Sequence, residues 1–320
     1  MVVQLRILVT GGAGFIGSNF VRRILDGTLP GYTSVSVLDK LTYAGNRKNL
    51  PKDGFEFIQG DICDEKLVRR IVKKHDLVIN FAAESHVDRS IQDPKSFFRT
   101  NIIGVQNLLD AVKSFDSCRF LQISTDEVYG SIAFGSSDEN FSILPNSPYA
   151  ASKAAADLIV RSYFKTFGLN VLVTRSSNNY GSNQYPEKLI PLLITNLIEG
   201  KKLPIYGNGE NVRDWIHIDD NCAALHAVLI SGIPGQTYNI GGGCEISNLL
   251  IAQKIIKLMN ADPLAIQFVT DRAGHDFRYS VDASKIEKEL GFRPVVPFGD
   301  GLSRTIDWYL ANEHWWRSLK

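Results

Sequence analysis

The first apolar run, Leu5–Val9, breaks into Thr10-Gly11-Gly12-Ala13-Gly14-Phe15-Ile16-Gly17, and a helical pattern follows in which Ile16, Phe20 and Ile24 recur every fourth residue. Few folds accept a strand, a glycine-rich turn and a helix in that order. Glycines at 11, 14 and 17 allow a tight turn, a close backbone approach to a pyrophosphate, and close packing of helix on strand. The helix N-terminus offers unpaired N–H groups and the positive end of its dipole to phosphates. Asp39 closes the next apolar run, where its carboxylate would hydrogen-bond a ribose diol and repel a 2′-phosphate. NAD is the expected cofactor, with Lys40 and Arg47 as neighbouring cations that blur the choice against NADP.

Short runs rich in Val, Ile and Leu recur at Val35–Leu38, Phe55–Ile58, Leu77–Asn80, Arg119–Ser124 and Val171–Thr174. Helical patterns separate them, at about 64–73, 100–114 and 148–167. Strands alternating with helices predict an α/β fold, a doubly wound parallel sheet of Rossmann type with ligands at the strand C-terminal ends. After residue 176 prolines and glycines cluster, and helices such as 247–259 are expected to follow loops rather than regular strands. We therefore expect a cofactor-binding domain over 1–176 and a smaller C-terminal substrate-binding domain over 177–320. Part of the latter, about 211–245, is open to rejoining the main sheet.

Composition narrows the function. Thirty-five Lys and Arg balance 34 Asp and Glu, so the basic excess of a nucleic-acid binder is missing. Mean hydropathy is −0.06 and no uncharged apolar run approaches the roughly 18 residues of a membrane span. Four cysteines lack zinc or disulfide spacing, which favours free thiols, no metal and a cytoplasmic location. The helices over 100–114 and 148–167 are apolar on more than one face, which predicts a second subunit against them and a homodimer.

A second constellation follows the fifth strand, at Ser124-Thr125-Asp126-Glu127-Val128-Tyr129-Gly130. Downstream, Ser147 suits a helix N-cap and Pro148 the first helical position, so Tyr149 and Lys153 lie one turn apart on one face. An ammonium beside a phenol favours phenolate, which can take a proton from a sugar hydroxyl as that carbon is oxidised. Adjacent carboxyls push their proton affinities apart, so one can stay protonated while the other ionises. Consecutive strand residues face opposite ways, so the backbone must leave the strand before Asp126 if both acids are to face one ligand.

Together these features resemble the extended short-chain dehydrogenase/reductase family, over nearly the whole chain. Within it the chain is similar to the dTDP-glucose 4,6-dehydratases, on Thr125-Asp126-Glu127, the run Asp39–Asn46, Ala82–Ser90, Pro186–Pro191 and Arg213-Asp214-Trp215. The resemblance implies oxidation at hexose carbon 4 with NAD, loss of water across carbons 5 and 6, and reduction at carbon 6, with NAD regenerated. It implies catalytic roles for Thr125, Asp126 (acid), Glu127 (base), Tyr149 and Lys153. Implied cofactor contacts are Gly11, Gly14, Phe15, Ile16, Gly17, Asp39, Lys40, Thr42, Gly45, Asp61, Ile62, Ala82, Ala83, Ser85, Thr100 and Asn179, together with Tyr149 and Lys153. Implied nucleotide-sugar contacts are His86, Thr125, Asn178, Lys188, Leu189, Pro204, Ile205, Tyr206, Arg213, Asn248, Arg272, His275 and Tyr279.

Two positions depart from the family pattern: Ser182 stands where Pro usually follows Asn-Asn-Tyr-Gly, and Ala273 replaces a Pro. Both lie in loops expected beside the nucleotide, and both should loosen them. A UDP-glucose 4,6-dehydratase shares the Thr-Asp-Glu triplet and remains an alternative. A nucleotide-sugar 4-epimerase is a second alternative, though it needs no acid–base pair beyond Tyr149.

Overall fold

The computed structural model describes residues 5–115 and 118–320. Its first half runs β1 (Leu5–Thr10), α1 (Phe15–Leu25), β2 (Tyr32–Asp39), β3 (Glu56–Gln59), α2 (Glu65–Val72) and β4 (Leu77–Asn80). Then come α3 (Val87–Gln92), α4 (Pro94–Phe98), α5 (Val105–Lys113), β5 (Arg119–Thr125), α6 (Pro148–Phe167) and β6 (Val171–Ser176). A π-helical turn, Arg99–Gly104, joins α4 to α5, so the helix expected from residue 100 has a wider first turn. The second half adds β7 (Asn178–Tyr180), α7 (Leu189–Ile198), β8 (Leu203–Tyr206), β9 (Val212–His217) and α8 (Ile218–Ser231). It continues with β10 (Thr237–Ile240), β11 (Glu245–Ser247), α9 (Asn248–Leu258) and β12 (Ile266–Val269).

Seven strands form one parallel sheet in the order β10-β6-β5-β4-β1-β2-β3. The period of two along a strand divides its side chains between two cores. Ile7 and Val9 of β1 join one core with Phe20 of α1 and Leu225 of α8, while Leu8 joins the other with Val68, Leu108 and Val160 of α2, α5 and α6. Both faces are covered, as a parallel sheet requires. The strand order reverses at β1 and β4, and the crevice there opens at their C-terminal ends.

Of the stretch expected to be free to rejoin the sheet, Thr237–Ile240 pairs in parallel with β6. Val212–His217 does not. It pairs with β7 and β11 in a three-stranded sheet, while β8 and β12 make a two-stranded one. The later helices thus follow strands rather than loops: α8 follows β9, and α9 follows β11. Three- and four-residue strands are too short to show a period against the surrounding glycines and prolines. A third core, built on Trp215, Ile251, Ile306 and Trp316, lies under these small sheets.

Candidate active site

The turn after β1 is shaped by what cannot fit in it. A Cβ on Gly11, at φ +67°, would lie 2.4 Å from the Ala82 nitrogen, and one on Gly17 would lie 2.5 Å from the Gly11 carbonyl oxygen. Gly14 differs: its Cβ would meet only that oxygen, at 3.3 Å. The crowding at 11 and 17 is internal, whereas the space over Gly14 opens on the cleft. Gly14 begins α1 without a side-chain cap, so the first amides of α1 keep their donors for a ligand. These features fit a bound pyrophosphate.

Asp39 ends β2 with its carboxylate held from two sides, by the Ala13 N–H at 2.9 Å and the Leu41 N–H at 2.8 Å. The two cations that blurred the cofactor choice are engaged elsewhere. Lys40 Nζ pairs with Asp61 at 2.8 Å, and the Arg47 guanidinium lies 4.6 Å over Phe55 and 4.7 Å over Phe57. Asp39 is left to set the charge at the ribose position, which suits NAD.

β5 ends at Thr125, whose Oγ1 accepts the Glu127 N–H at 3.3 Å and caps a 3-10 turn over Asp126–Tyr129. The chain therefore leaves the strand just before the acid pair, and Thr125, Asp126 and Glu127 all line the cleft. α6 starts as its sequence predicts, with Ser147 Oγ accepting the Ala150 N–H at 3.1 Å and Pro148 in the first turn. Tyr149 and Lys153 point into the same cleft.

The two carboxyls sit in different fields. Burial, then Glu127 and Asp214, drive the Asp126 pKa well above the carboxylate range, and one of its oxygens is buried without a partner. Burial also raises Glu127, but Arg272, Arg213 and Lys188 pull it back. Asp126 is thus pushed further towards its protonated form than Glu127. Tyr149 departs from expectation: burial and the charges of Glu127 and Asp126 raise its pKa, against a smaller pull from Thr125. Lys153 does not offset this. Burial lowers it to about 8, and its Nζ donates to the Ile123 carbonyl at 2.5 Å.

Every residue expected at the cofactor lines this one cleft, from Gly11 to Asn179, with Asn178 and Lys188 of the sugar set. Thr100 sits there in the π-helical turn, not at a helix start. The other residues expected at the sugar and nucleotide, Thr125 apart, stand outside that lining. His86 Nε2 is 3.8 Å from Glu187, and its buried Nδ1 has no partner. Arg272 faces Asp88 at 3.7 Å; Tyr206 donates to Asp88 at 3.4 Å and meets the His275 ring edge-on. Asn248 opens α9 with its Oδ1 buried and unpartnered.

Some expectations need correction. Ile205 is 1% exposed and Leu189 packs on the same C-terminal core, so neither side chain reaches the cleft. Strand alternation explains β8: Pro204 and Tyr206 face away from the core that holds Ile205. Arg213 stacks on Tyr279 at 4.3 Å, but its terminal nitrogens donate to the Val212, Asp276 and Phe277 carbonyls. Tyr279 itself donates to Asp276 at 2.5 Å. Ser182 does not loosen its loop: its carbonyl and hydroxyl both bond Asn19 of α1. Tyr43, Ser124, Ser177, Tyr185 and Glu187 also line the cleft without having been assigned there, although Tyr43 and Glu187 lie inside the quoted runs.

Comparison with known proteins places this geometry. The family model described as GDP-mannose 4,6 dehydratase matches residues 8–305. The dTDP-glucose 4,6-dehydratase of Streptomyces niveus is 54% identical over 99% of this chain and 96% of its own. The chain belongs to the dTDP-glucose 4,6-dehydratase family. A solved dTDP-glucose 4,6-dehydratase from Streptomyces venezuelae, with NAD and TYD bound, superposes with a TM-score of 0.96 at 52% identity, covering 98% of this chain and all of that one. Another family member, from Bacillus anthracis in complex with NAD, gives 0.92 at 46% identity over 99% and 100% of the two chains. The family's cofactor thus agrees with the Gly14 opening and with the carboxylate of Asp39 at the end of β2.

Proposed function

We propose that this protein is an NAD-dependent hydro-lyase that converts dTDP-glucose to dTDP-4-keto-6-deoxyglucose. The observation that carries the reading is the meeting of Asp126 and Glu127 with Tyr149 and Lys153 in one cleft, their carboxyls in unlike fields. An epimerase needs no such pair.

When bound, the cofactor supplies reversible oxidation and reduction of the sugar carbons. Tyr149 takes the proton of the carbon 4 hydroxyl, with the Thr125 hydroxyl orienting that oxygen. Burial and two carboxyls hold the phenol protonated in the free protein, so it works as a base only once positive charge is brought beside it. The new carbonyl acidifies carbon 5; Glu127 removes that proton and returns one to carbon 5 as carbon 6 is reduced. Asp126, kept protonated by burial and by its neighbour, gives its proton to the departing carbon 6 hydroxyl, which leaves as water. Lys188 and Arg272 hold the diphosphate, with Asn178 beside them; Pro204 and Tyr206 flank the base, and His86 and Asn248 bring unpartnered buried atoms to the sugar and nucleoside.

We also propose a homodimer. Ile103, Leu158 and Phe167, on and beside α5 and α6, are each about half exposed, at 48%, 53% and 49%. Sedimentation as a monomer at micromolar concentration would remove that reading. Among the described residues no helix is long and apolar enough to cross a membrane, and all four cysteines are free, which supports a cytoplasmic location. The activity is tested by incubation with dTDP-, UDP-, CDP- and GDP-glucose and mass analysis for loss of water. Turnover of dTDP-glucose is expected to exceed the others; preference for UDP-glucose would move the assignment to a UDP-glucose 4,6-dehydratase.

A further inference from the structure

Behind the reacting groups lies a charged network that the mechanism above does not use. Asp157 stands one turn beyond Lys153 on α6, and Arg175 comes from β6. They are 3% and 5% exposed, and Arg175 Nε donates to Asp157 Oδ2 at 2.9 Å. The guanidinium goes on to the Tyr129 hydroxyl at 2.9 Å, which donates to Asn239 of β10 at 2.7 Å. Tyr129 is the last residue of the turn that carries Asp126 and Glu127. The other carboxylate oxygen of Asp157 is buried without a hydrogen-bond partner. Lys153, 4% exposed, has only a carbonyl as its hydrogen-bond partner, which cannot balance its charge.

From this arrangement we infer that Asp157, gripped by Arg175, is a positioning residue for the dehydration: it sustains the positive charge of Lys153 and ties the helix of Tyr149 and Lys153 to the turn of Asp126 and Glu127. The inference rests on the function proposed above. A buried ammonium without a nearby anion gives up its proton. The charged and titratable groups around the Tyr149–Lys153 pair are Asp157 on its own helix, Arg175 beyond it on β6, Asp126 and Glu127 on the turn after β5, and Tyr43 at the cleft wall. Of these, Asp157 is the one that raises Lys153 against burial, and the balance of the two leaves it at about 8. Ser124 of β5 lies against the same carboxyl.

The test is the pH profile of kcat/KM for the holoenzyme. Asp157→Asn alone strands a buried guanidinium, so the double variant Asp157→Asn/Arg175→Gln is measured beside it, with Asp157→Glu as the conservative control. Both Asn variants are expected to move the alkaline limb to lower pH by about one unit, with rates approaching wild type on the acid side, and Asp157→Glu is expected to return the limb towards its place. An unmoved limb with only a lower urea midpoint would mean that the pair merely packs, and would overturn the inference. If wild type releases no water from dTDP-glucose at any pH, the proposed function falls and takes this inference with it, a result distinct from an unmoved limb.

Discussion

At the cofactor end of the cleft the backbone does the shaping, whereas at the sugar end charged side chains from distant segments do it. Gly11, Gly14 and Gly17 sit where a Cβ would strike backbone or fill the space left for a pyrophosphate. Lys188, Arg213 and Arg272 come from loops and a strand far apart in the chain, and they act on Glu127 through charge. A backbone requirement tolerates one residue type and leaves a fixed spacing in the sequence. A field can be built from any cation that reaches the place, and it leaves no spacing to read.

The comparison can be broken most severely at Gly11. Gly11→Ala forces a side chain into positive φ and against Ala82, which should cost about 3 kcal/mol of stability and abolish NAD retention. The urea midpoint and cofactor content after gel filtration check both, and a stable holoenzyme would show that the turn is not backbone-limited. At the other end, Glu127→Gln keeps the shape and removes a base. Elimination should fall roughly 10²–10⁴-fold while oxidation at carbon 4 continues, seen as reduced cofactor building up near 340 nm in a single turnover. Wild-type turnover in that variant would take Glu127 out of its role.

Arg272→Ala should act less sharply. Loss of a charge-assisted contact worth about 1.5–3 kcal/mol raises KM by roughly 10- to 150-fold. Arg272 is also the foremost group holding the Glu127 carboxyl down. Without it the Glu127 pKa rises, and because the base must be ionised, the acid limb of kcat should move to higher pH. A KM change without that movement would confine Arg272 to binding. The smallest effect on the fold is expected at Gly14→Ala, which should shift stability by no more than about 1 kcal/mol while weakening NAD binding, measured by calorimetric titration. Equal damage at 11 and 14 would erase the distinction between internal crowding and ligand space.

The same distinction explains what could be read before the structure. The alternation of apolar runs and helical patterns placed the parallel sheet because strands buried on both faces carry a continuous apolar signal. Ser147 and Pro148 announced the start of α6 through local capping chemistry. β7, β8, β11 and β12 were hidden because strands of three or four residues among glycines and prolines have no period to show. Ile205 was placed beside the base and Leu189 among the substrate contacts by their neighbourhood in a motif, and strand alternation and helix packing turned their side chains towards the C-terminal core. The raised phenol of Tyr149 was out of reach, because it depends on burial and on two carboxyls that adjoin it only in the fold.

The central claim is that one hexose meets Tyr149, Asp126 and Glu127 together and is oxidised and reduced within a single visit. Turnover of dTDP-glucose carrying deuterium at carbon 4, with the product read by mass spectrometry and NMR, tests it most directly. Deuterium is expected at carbon 6 of the 4-keto-6-deoxy product. Deuterium lost to solvent, or retained at carbon 4 of an unchanged or epimerised sugar, would contradict it.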